Sequence, residues 1–590
     1  MKRCPQCNRV ETDDALAFCR VDGAALVGEL SAMSESATRV FDRLSDDAQA
    51  TELLQHDTSE GQHTTSTLEA RPRPIIQKTE DRRSRMSGRK LAVVIMAIVL
   101  AVIIIPIAIL AIAGYVAYRH ARDTEVAIDS IAVLPFENDN RDPNIDYLSD
   151  GVTESIINSL TQLSNLKVSP RSSVFRYKGK GTDPLTAGKE LGVRAILSGR
   201  ILQRGDNLTV STELVDVRDN KQLWGEQYSR KIAEVVDIQQ DISREISEKL
   251  RLKLSAPEQK QLTKRYTENA EAYQLYLRGR YFWNKRTSDG IRKSIDYFNQ
   301  AIEKDPAYAL AYAGLADAYV VLPSYSQSSS KETYPKAKAA AIRALALDDS
   351  VAEAHTSLAM IRFWYDWGAE AEPEFKRGLQ LNPNYATGHH WYSLYLSAMG
   401  RHDEAIAEMK RAQELDPFSI IINAESGLPY LYAHRYDEAI TQFQKAIEMD
   451  PNFAFAHNAL AVAYERKDRY QEAIAEEQKA IQLAGGDIPQ TWIVLTGQLK
   501  NAYQTLGVKG YWQKRLEATM KSYDRQETSA EQVAETYAIL GDKEQAFEWL
   551  EKSYQQHEDF LVFLKIQPAF DNLRSDPRFA DLVRRVGLPP

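Results

Sequence analysis

Apolar residues follow three different patterns along this chain. Over 91–118 there are 28 consecutive residues without a charged side chain. That run is long enough to cross a ~30 Å hydrocarbon core with some tilt. It predicts a single transmembrane helix, and Pro106 inside it is tolerated in a membrane. Over 126–256 the texture changes to short apolar runs and amphipathic stretches. Strands are expected at 131–136, 166–169, 195–204, 208–217 and 222–229, with Gly205-Asp206-Asn207 as a hairpin turn. Helices are expected at 148–163, 184–191 and 232–252, the first carrying Leu148, Val152, Ile156, Ile157 and Leu160 on one face. This segment reads as a compact α+β domain.

The third pattern is a repeat. Pro383, Pro417 and Pro451 are each 34 residues apart, and Gly485 falls one period further on. Ala405, Ala439 and Ala473 keep the same phase. Between Pro417 and Pro451 the chain offers Gly427, Tyr430, Ala439, Phe443 and Ala446 where close-packed helix hairpins need small, aromatic, small, aromatic and small residues. The next period offers Leu460, Ala461, Tyr464, Ala473 and Ala480, with Glu477 in place of the second ring. A 34-residue period of this kind marks a tetratricopeptide-type solenoid. Seven or eight units are expected between Ala270 and Gln556, with a Ser- and Tyr-rich insertion at 323–334 and a divergent unit after Gly485. The tail at 557–590 reads as a cap over the last apolar face.

Charge orients the chain. Across 71–90 stand Arg71, Arg73, Lys78, Arg82, Arg83, Arg85, Arg89 and Lys90 against only Glu80 and Asp81. The excess of Lys and Arg places the N-terminus in the cytoplasm and everything after about residue 120 outside it, in the periplasm or the extracellular space. The tether at 31–90 is rich in Ser, Thr, Asp, Glu and Gln and poor in large apolar residues, a composition that does not fold. The net charge of -9 argues against a general nucleic-acid binder.

All 3 cysteines, Cys4, Cys7 and Cys19, precede the apolar run, so the exported part is built without disulfides. Cys4-Pro5-Gln6-Cys7 has metal-knuckle spacing, and Cys19 with Asp22 has the shape of a second knuckle. Segment 1–30 resembles the short zinc ribbons at the N-termini of many bacterial membrane proteins. One structural zinc held by Cys4, Cys7, Cys19 and Asp22 is chemically reasonable, because zinc accepts carboxylate oxygen as well as thiolate. A ribbon that has lost its metal fits the same spacing, and the sequence leaves both open.

The strand IAVLPFEN, the helix opening YLSDGVTESIINSL, the stretch GKELGVRAILSGRI and the hairpin end VDVRDNKQLWGEQYSR resemble the TolB N-terminal-like domain. The repeats, beginning EAYQLYLRGRYFWNKRT, are similar to the tetratricopeptide arrays that commonly follow that domain in bacterial membrane proteins. Relatives of this architecture often carry a kinase or a winged-helix domain ahead of the membrane helix. This chain has only the ribbon and tether there, so neither activity carries over.

The resulting organisation is multidomain: ribbon 1–30, tether 31–90, membrane helix 91–118, α+β domain 126–256, an all-α tetratricopeptide solenoid 268–556 and cap 557–590. No HExxH, GxSxG or GxxxxGK[ST] motif occurs, and a non-enzyme is expected. Ser328-x-x-Lys331 lies in the Ser-rich insertion and is a frequent chance match. His355, His389 and His457 share one repeat phase, but equivalent atoms of successive hairpins stand roughly 10 Å apart. They are expected to pack the repeat and not to bind metal. By their offset from the repeat boundary, Trp364, His390, Tyr432, Phe455 and Asn458 are expected to line an inner face that binds an apolar or aromatic-bearing peptide. The expectation is a membrane-anchored scaffold for protein–protein interaction in the cell envelope. The alternative is a transmembrane transducer whose cytoplasmic ribbon contacts DNA or a regulatory protein.

Overall fold

The computed structural model describes residues 128–590 apart from 253, 327, 369, 485–489 and 590, and before them only Lys2–Arg3, Val10–Glu11, Val27–Gly28 and Met96. Cys4, Cys7, Cys19, Asp22, the tether at 31–90 and the apolar run at 91–118 apart from Met96 lie outside the described residues. Strand β1 (Lys2–Arg3) pairs antiparallel with β2 (Val10–Glu11) and β3 (Val27–Gly28). Among the described residues no helix is long and apolar enough to cross a membrane.

Ile131, Ala132 and Val133 are all fully buried, as a strand covered on both faces requires. They form β4 (Ser130–Val133), which ends before Pro135, a residue with no N–H to give a ladder. The expected strand at 131–136 is therefore split, resuming as β5 (Glu137–Asn138). Helix α1 (Asp146–Thr161), strand β6 (Lys167–Val168) and helices α2 (Arg171–Phe175) and α3 (Pro184–Leu191) follow. Helix α3 starts where Asp183 accepts from the Thr186 amide and Pro184 opens the first turn, and it ends on left-handed Gly192. Strands β7 (Ala195–Arg204), β8 (Asn207–Asp216) and β9 (Lys221–Lys231) complete a sheet of order β6-β4-β7-β8-β9, with β5 beside β7. Strand β4 is parallel to β6 and β7, and β8 is antiparallel to β7 and β9. Helix α4 (Val235–Lys249) buries Ile238, Ile242 and Ile246 at helical spacing, and α5 (Ala256–Leu262) leads out of the domain.

Eight helix hairpins follow among the described residues. They are α6 (Ala270–Trp283) with α7 (Ser288–Lys304), α8 (Ala309–Tyr325) with α9 (Ser330–Leu347), α10 (Ala352–Trp364) with α11 (Ala371–Leu381), and α12 (Ala386–Ala398) with α13 (His402–Leu415). The fifth has a split first arm, α14 (Ile420–Glu425) and α15 (Leu428–Tyr432), against α16 (Tyr436–Met449). Then come α17 (Ala454–Arg466) with α18 (Tyr470–Ala484), the two arms of α19 (Gln490–Asp524), and α20 (Ala530–Leu540) with α21 (Lys543–Gln555). The insertion expected at 323–334 is absorbed as longer helices, since Pro323 lies inside α8 and α9 begins at Ser330.

The repeat phase has a direct packing cause. A Cβ on Gly427 would stand 2.4 Å from the Phe443 ring, so the small residue is what lets the ring in. Glu477 departs from that phase because the next unit supplies its partner. Arg515 of α19 pairs with Glu477 and Glu465, each at 2.8 Å. The divergent unit is itself a hairpin: Val494, Leu495 and Gln498 line one cleft with Lys514, Lys521 and Arg525. A straight helix would hold Val494 and Arg525 about 46 Å apart at 1.5 Å per residue. The reversal falls at Gly507, whose φ of 64° and ψ of -151° suit glycine.

The three phased histidines clasp their own hairpins. Nδ1 of His355, His389 and His457 meets Glu374, Glu408 and Glu476 at 2.6, 2.5 and 2.6 Å. Nε2 of each reaches the carbonyl six residues back, at Asp349, Pro383 and Pro451. In the fifth hairpin Asn423 takes this position and donates to the Pro417 carbonyl at 3.0 Å.

The tail does more than cap the array. After a 3-10 turn at Asp559–Phe563 and another at Pro568–Leu573 it ends in α22 (Pro577–Arg585). It packs on α20, but His557 also stacks on Trp367 of the third hairpin, with ring centroids 3.8 Å apart. The α+β domain, the first four hairpins, the last hairpin and the tail share one apolar core.

Candidate functional site

The face built from the first helices of the repeats is the natural binding surface of such an array, and here the chain occupies much of it itself. Helix α1 lies along α6, where Tyr273 donates to Ser155 at 3.1 Å and the Arg280 guanidinium reaches Glu154 at 2.8 Å. Further along, Asn384 donates to the Thr161 carbonyl at 3.1 Å, Ser172 bonds to Asp416, and Arg176 lies 4.5 Å over the Phe418 ring. The α+β domain thus touches the solenoid from the first hairpin to the turn between the fourth and the fifth.

From the other end comes the tail. Phe563 sits 5.8 Å from Phe363, 5.3 Å from Trp364 and 5.0 Å from Tyr432, ring centroid to ring centroid. Phe560 meets Trp364 edge-on at 5.2 Å and remains 55% exposed. Two of the five residues expected to bind a peptide, Trp364 and Tyr432, are therefore brought together by a peptide segment of the same chain. His390 is not open on that face: it is buried and hydrogen-bonded to Glu425 at 2.9 Å. Phe455 and Asn458 are exposed and stand outside the aromatic cluster, with Phe455 beside Phe453 at 6.3 Å.

Electrostatics divide this face into two buried polar zones. In the first, burial pushes the Glu154 carboxyl up, but Arg280 and Arg171 outweigh it and hold the group below its ordinary value. Burial lifts Asp317 to about 6 despite Arg280 and its bond from Ser357. In the second, beneath the tail, burial and then Glu535 push Glu531 well above the usual carboxylate range. Burial raises Glu535 too, against the pull of Arg466 and a bond from Gln567 of the tail. Glu558 accepts from the amides of Ala530 and Glu531 at 2.8 and 3.0 Å, tying the tail to the start of α20.

Glu531 gives a test with a definite sign. A carboxyl raised on folding costs nothing below its unfolded pKa, and stability is lost as pH rises through the folded value. Glu531→Gln, which keeps the proton-donating shape, is expected to melt higher than the parent at pH 7. The difference should close as the pH falls toward 4, as read by thermal unfolding at a series of pH values. A parent as stable as the variant at pH 7 would remove this assignment.

Sequence reasoning missed Glu154, Arg280 and Asp317 as a linked group of charges. For Asp317 the available signal was a polar residue on a face that repeat phase makes apolar, as with Glu477; Glu154, on α1 outside the repeats, had no such signal. Among the described residues no three His, Cys, Asp or Glu side chains converge as metal ligands would.

Residues 127–248 match the family model for the second domain of HilA/YgeH-like transcriptional regulators, and 386–419 and 426–488 match tetratricopeptide repeats. The chain is 32% identical over 249 residues to "Putative adenylate cyclase 3" of Rhizobium meliloti, covering 41% of this chain and 42% of that protein. It is 24% identical over 292 residues to "Transcriptional regulator HilA" of Salmonella typhimurium, covering 49% and 51%. The alignments thus span about half or less of these curated relatives. The structure of the human IFIT1 dimer with m7Gppp-AAAA aligns with a TM-score of 0.36 at 16% identity, over 54% of this chain and 77% of that one. By its repeat matches and its geometry, the C-terminal part of the chain is a tetratricopeptide solenoid, preceded by a small α/β domain.

Proposed function

We propose that the protein is a single-pass membrane scaffold, N-terminus in the cytoplasm, which presents its repeats to a protein partner in the cell envelope and carries out no catalysis. The observation that carries this reading is the repeat array with a binding face closed in part by its own domain and tail, leaving Phe455 and Asn458 exposed. Met449 and Phe455, 41% and 37% exposed, offer apolar surface there for an aromatic-bearing peptide. The uncharged run at 91–118 and its basic flank support anchoring and orientation. The α/β domain is read as TolB N-terminal-like. Three short strands around the Cys4–Cys7 pair and beyond Cys19 and Asp22 support a ribbon with one structural zinc. A photo-crosslinking residue placed at Phe455 of the full chain, with one at buried His390 as control, tests the surface in cells. Crosslinks to another protein from Phe455 alone are expected; crosslinks from neither, or equally from both, would count against it.

A second reading has its own observation. The match of 127–248 to a domain of transcriptional regulators favours a transducer, with the exported part as sensor and the cytoplasmic ribbon as output. Under it, deleting 1–30 would alter transcription while leaving the Phe455 crosslinks intact.

A further inference from the structure

The turn of the first hairpin is strongly basic in an acidic chain. Between positions 278 and 293 stand Arg278, Arg280, Lys285, Arg286, Arg292 and Lys293 against Asp289 alone, in a protein whose net charge is -9. A row of rings runs through these charges. Tyr297 of α7 stacks on Phe282 of α6 with centroids 5.4 Å apart and planes 10° apart, and Phe282 meets Tyr281 edge-on at 5.3 Å. Arg278 stands 4.4 Å over the Tyr147 ring of α1 and 5.9 Å over Tyr297, so the row crosses from the α+β domain to the hairpin. At the other end Lys285 lies 4.6 Å over Tyr281 and 4.9 Å over Phe282, and Lys293 lies 5.6 Å over Phe282. Tyr281, Phe282 and Tyr297 are half-buried, while Lys285 and Lys293 are exposed. The nearby carboxylates are already taken. Lys293 pairs with Asp289 at 2.8 Å, and on the α+β side Lys178 holds Asp150 at 2.7 Å and Asp146 at 3.7 Å. Arg280 is spent on Glu154 and Asp317. Arg278 and Lys285 have no ion pair or side-chain hydrogen bond among the described residues.

We propose that this row is a docking surface for an acidic segment of another protein, whose carboxylates meet Arg278 and Lys285 while its apolar side chains lie on the half-buried rings between them. A cation held against a ring is fixed in place yet keeps donors for a carboxylate, and such a bond is charge-assisted. Lys285 follows Arg278 by seven positions, roughly 10 Å of helical rise, which is more than one carboxylate bridges, so the occupant carries several. Single-stranded nucleic acid fits the row less well. Base stacking needs open ring faces, and here Phe282 and Tyr297 face each other while cations stand over Tyr147 and Tyr281. The row belongs to the first hairpin and Phe455 to the sixth, and the inference does not rest on the reading of Phe455.

The test places a photo-crosslinking aromatic residue at Tyr281 of the full chain in neutral detergent and titrates a fluorescein-labelled peptide of repeating Glu-Glu-Leu. Because only peptide at this surface is captured, the basic run at 71–90 does not enter the readout. The peptide should crosslink, its capture should fall as salt rises, and half-saturation should move up about tenfold in Arg278→Gln/Lys285→Glu. Lys285→Glu alone, at an exposed position of the turn, should weaken capture several-fold, whatever Arg278→Gln does to the seam. Lys509→Glu, a likewise exposed lysine on α19, should leave it unchanged. A peptide of repeating Lys-Lys-Leu and a labelled oligothymidylate should not be captured. The proposal falls if the acidic peptide does not crosslink to the parent, or if oligothymidylate crosslinks as well, which would make this a nucleic-acid surface. It also falls if Lys285→Glu captures the peptide as the parent does, or if Lys509→Glu weakens capture equally, which would make the attraction diffuse. The first two outcomes are read without any charge variant.

Discussion

Glu154→Ala is expected to destabilise the protein by about 3–5 kcal/mol, the cost of leaving a buried partner charge unpaired. The carboxylate accepts from Arg280 Nε and Nη2 at 3.0 and 2.8 Å and from Asn284 at 2.6 Å, and Arg171 lies 3.1 Å away. Removing it takes the carboxylate from Arg171 and leaves Arg280 with only Asp317, at 3.5 Å, in the seam between α1 and the first hairpin. Urea unfolding measures the loss, and the α+β domain should then melt ahead of the repeats, giving two transitions where the parent gives fewer. Glu154→Leu combined with Arg280→Met should recover part of the loss, because a pair replaced by apolar groups no longer carries its desolvation cost. The pH dependence has a fixed sign. Glu154 is held below its ordinary value, so its contribution is present above the unfolded pKa and fades as the pH falls through the folded one. The gap between parent and Glu154→Ala should therefore narrow in acid. A variant as stable as the parent at pH 7 would mean the seam is held by apolar contact alone.

The repeats were legible because their signal is local and periodic: Gly427 and Phe443 are forced by contact distance within one hairpin. The elements of the α+β domain were legible for the same reason, as α3 shows with its Asp183 cap, Pro184 start and Gly192 stop. What the sequence hid were contacts between distant segments. Nothing near Ser172 announces Asp416, 244 positions on. Nothing near Phe563 announces Tyr432. The offset rule grouped Trp364 with Tyr432, and the structure brings both against Phe563, yet the sequence could not say that the chain's own tail would be what meets them. It failed for His390, whose neighbour Glu425 belongs to the following repeat and draws the ring into the packing.

Phe563→Ala should cost about 3–5 kcal/mol, the range for deleting a buried phenylalanine side chain. Phe563 is 4% exposed and its ring contacts three others, from α10 and α15. Phe560→Ala, which removes a mostly exposed ring with one aromatic contact, should cost less than about 1 kcal/mol. Thermal unfolding of the pair separates a tail that is part of the core from one that merely rests on it. Hydrogen exchange adds the spatial readout. In Phe563→Ala the amides of 559–573 should exchange faster together, while those of α17 and α18, whose apolar cluster is separate, should not change. Equal costs for the two variants, or exchange that rises throughout the array, would show that Phe563 does not act as the tail's anchor. If the anchor holds as expected, the aromatic face between the third and fifth hairpins is closed to partners in the folded chain. A peptide would then have to displace Leu561, Val562 and Phe563, all buried, before reaching Trp364. That cost favours the open surface at Phe455 as the place where another protein binds.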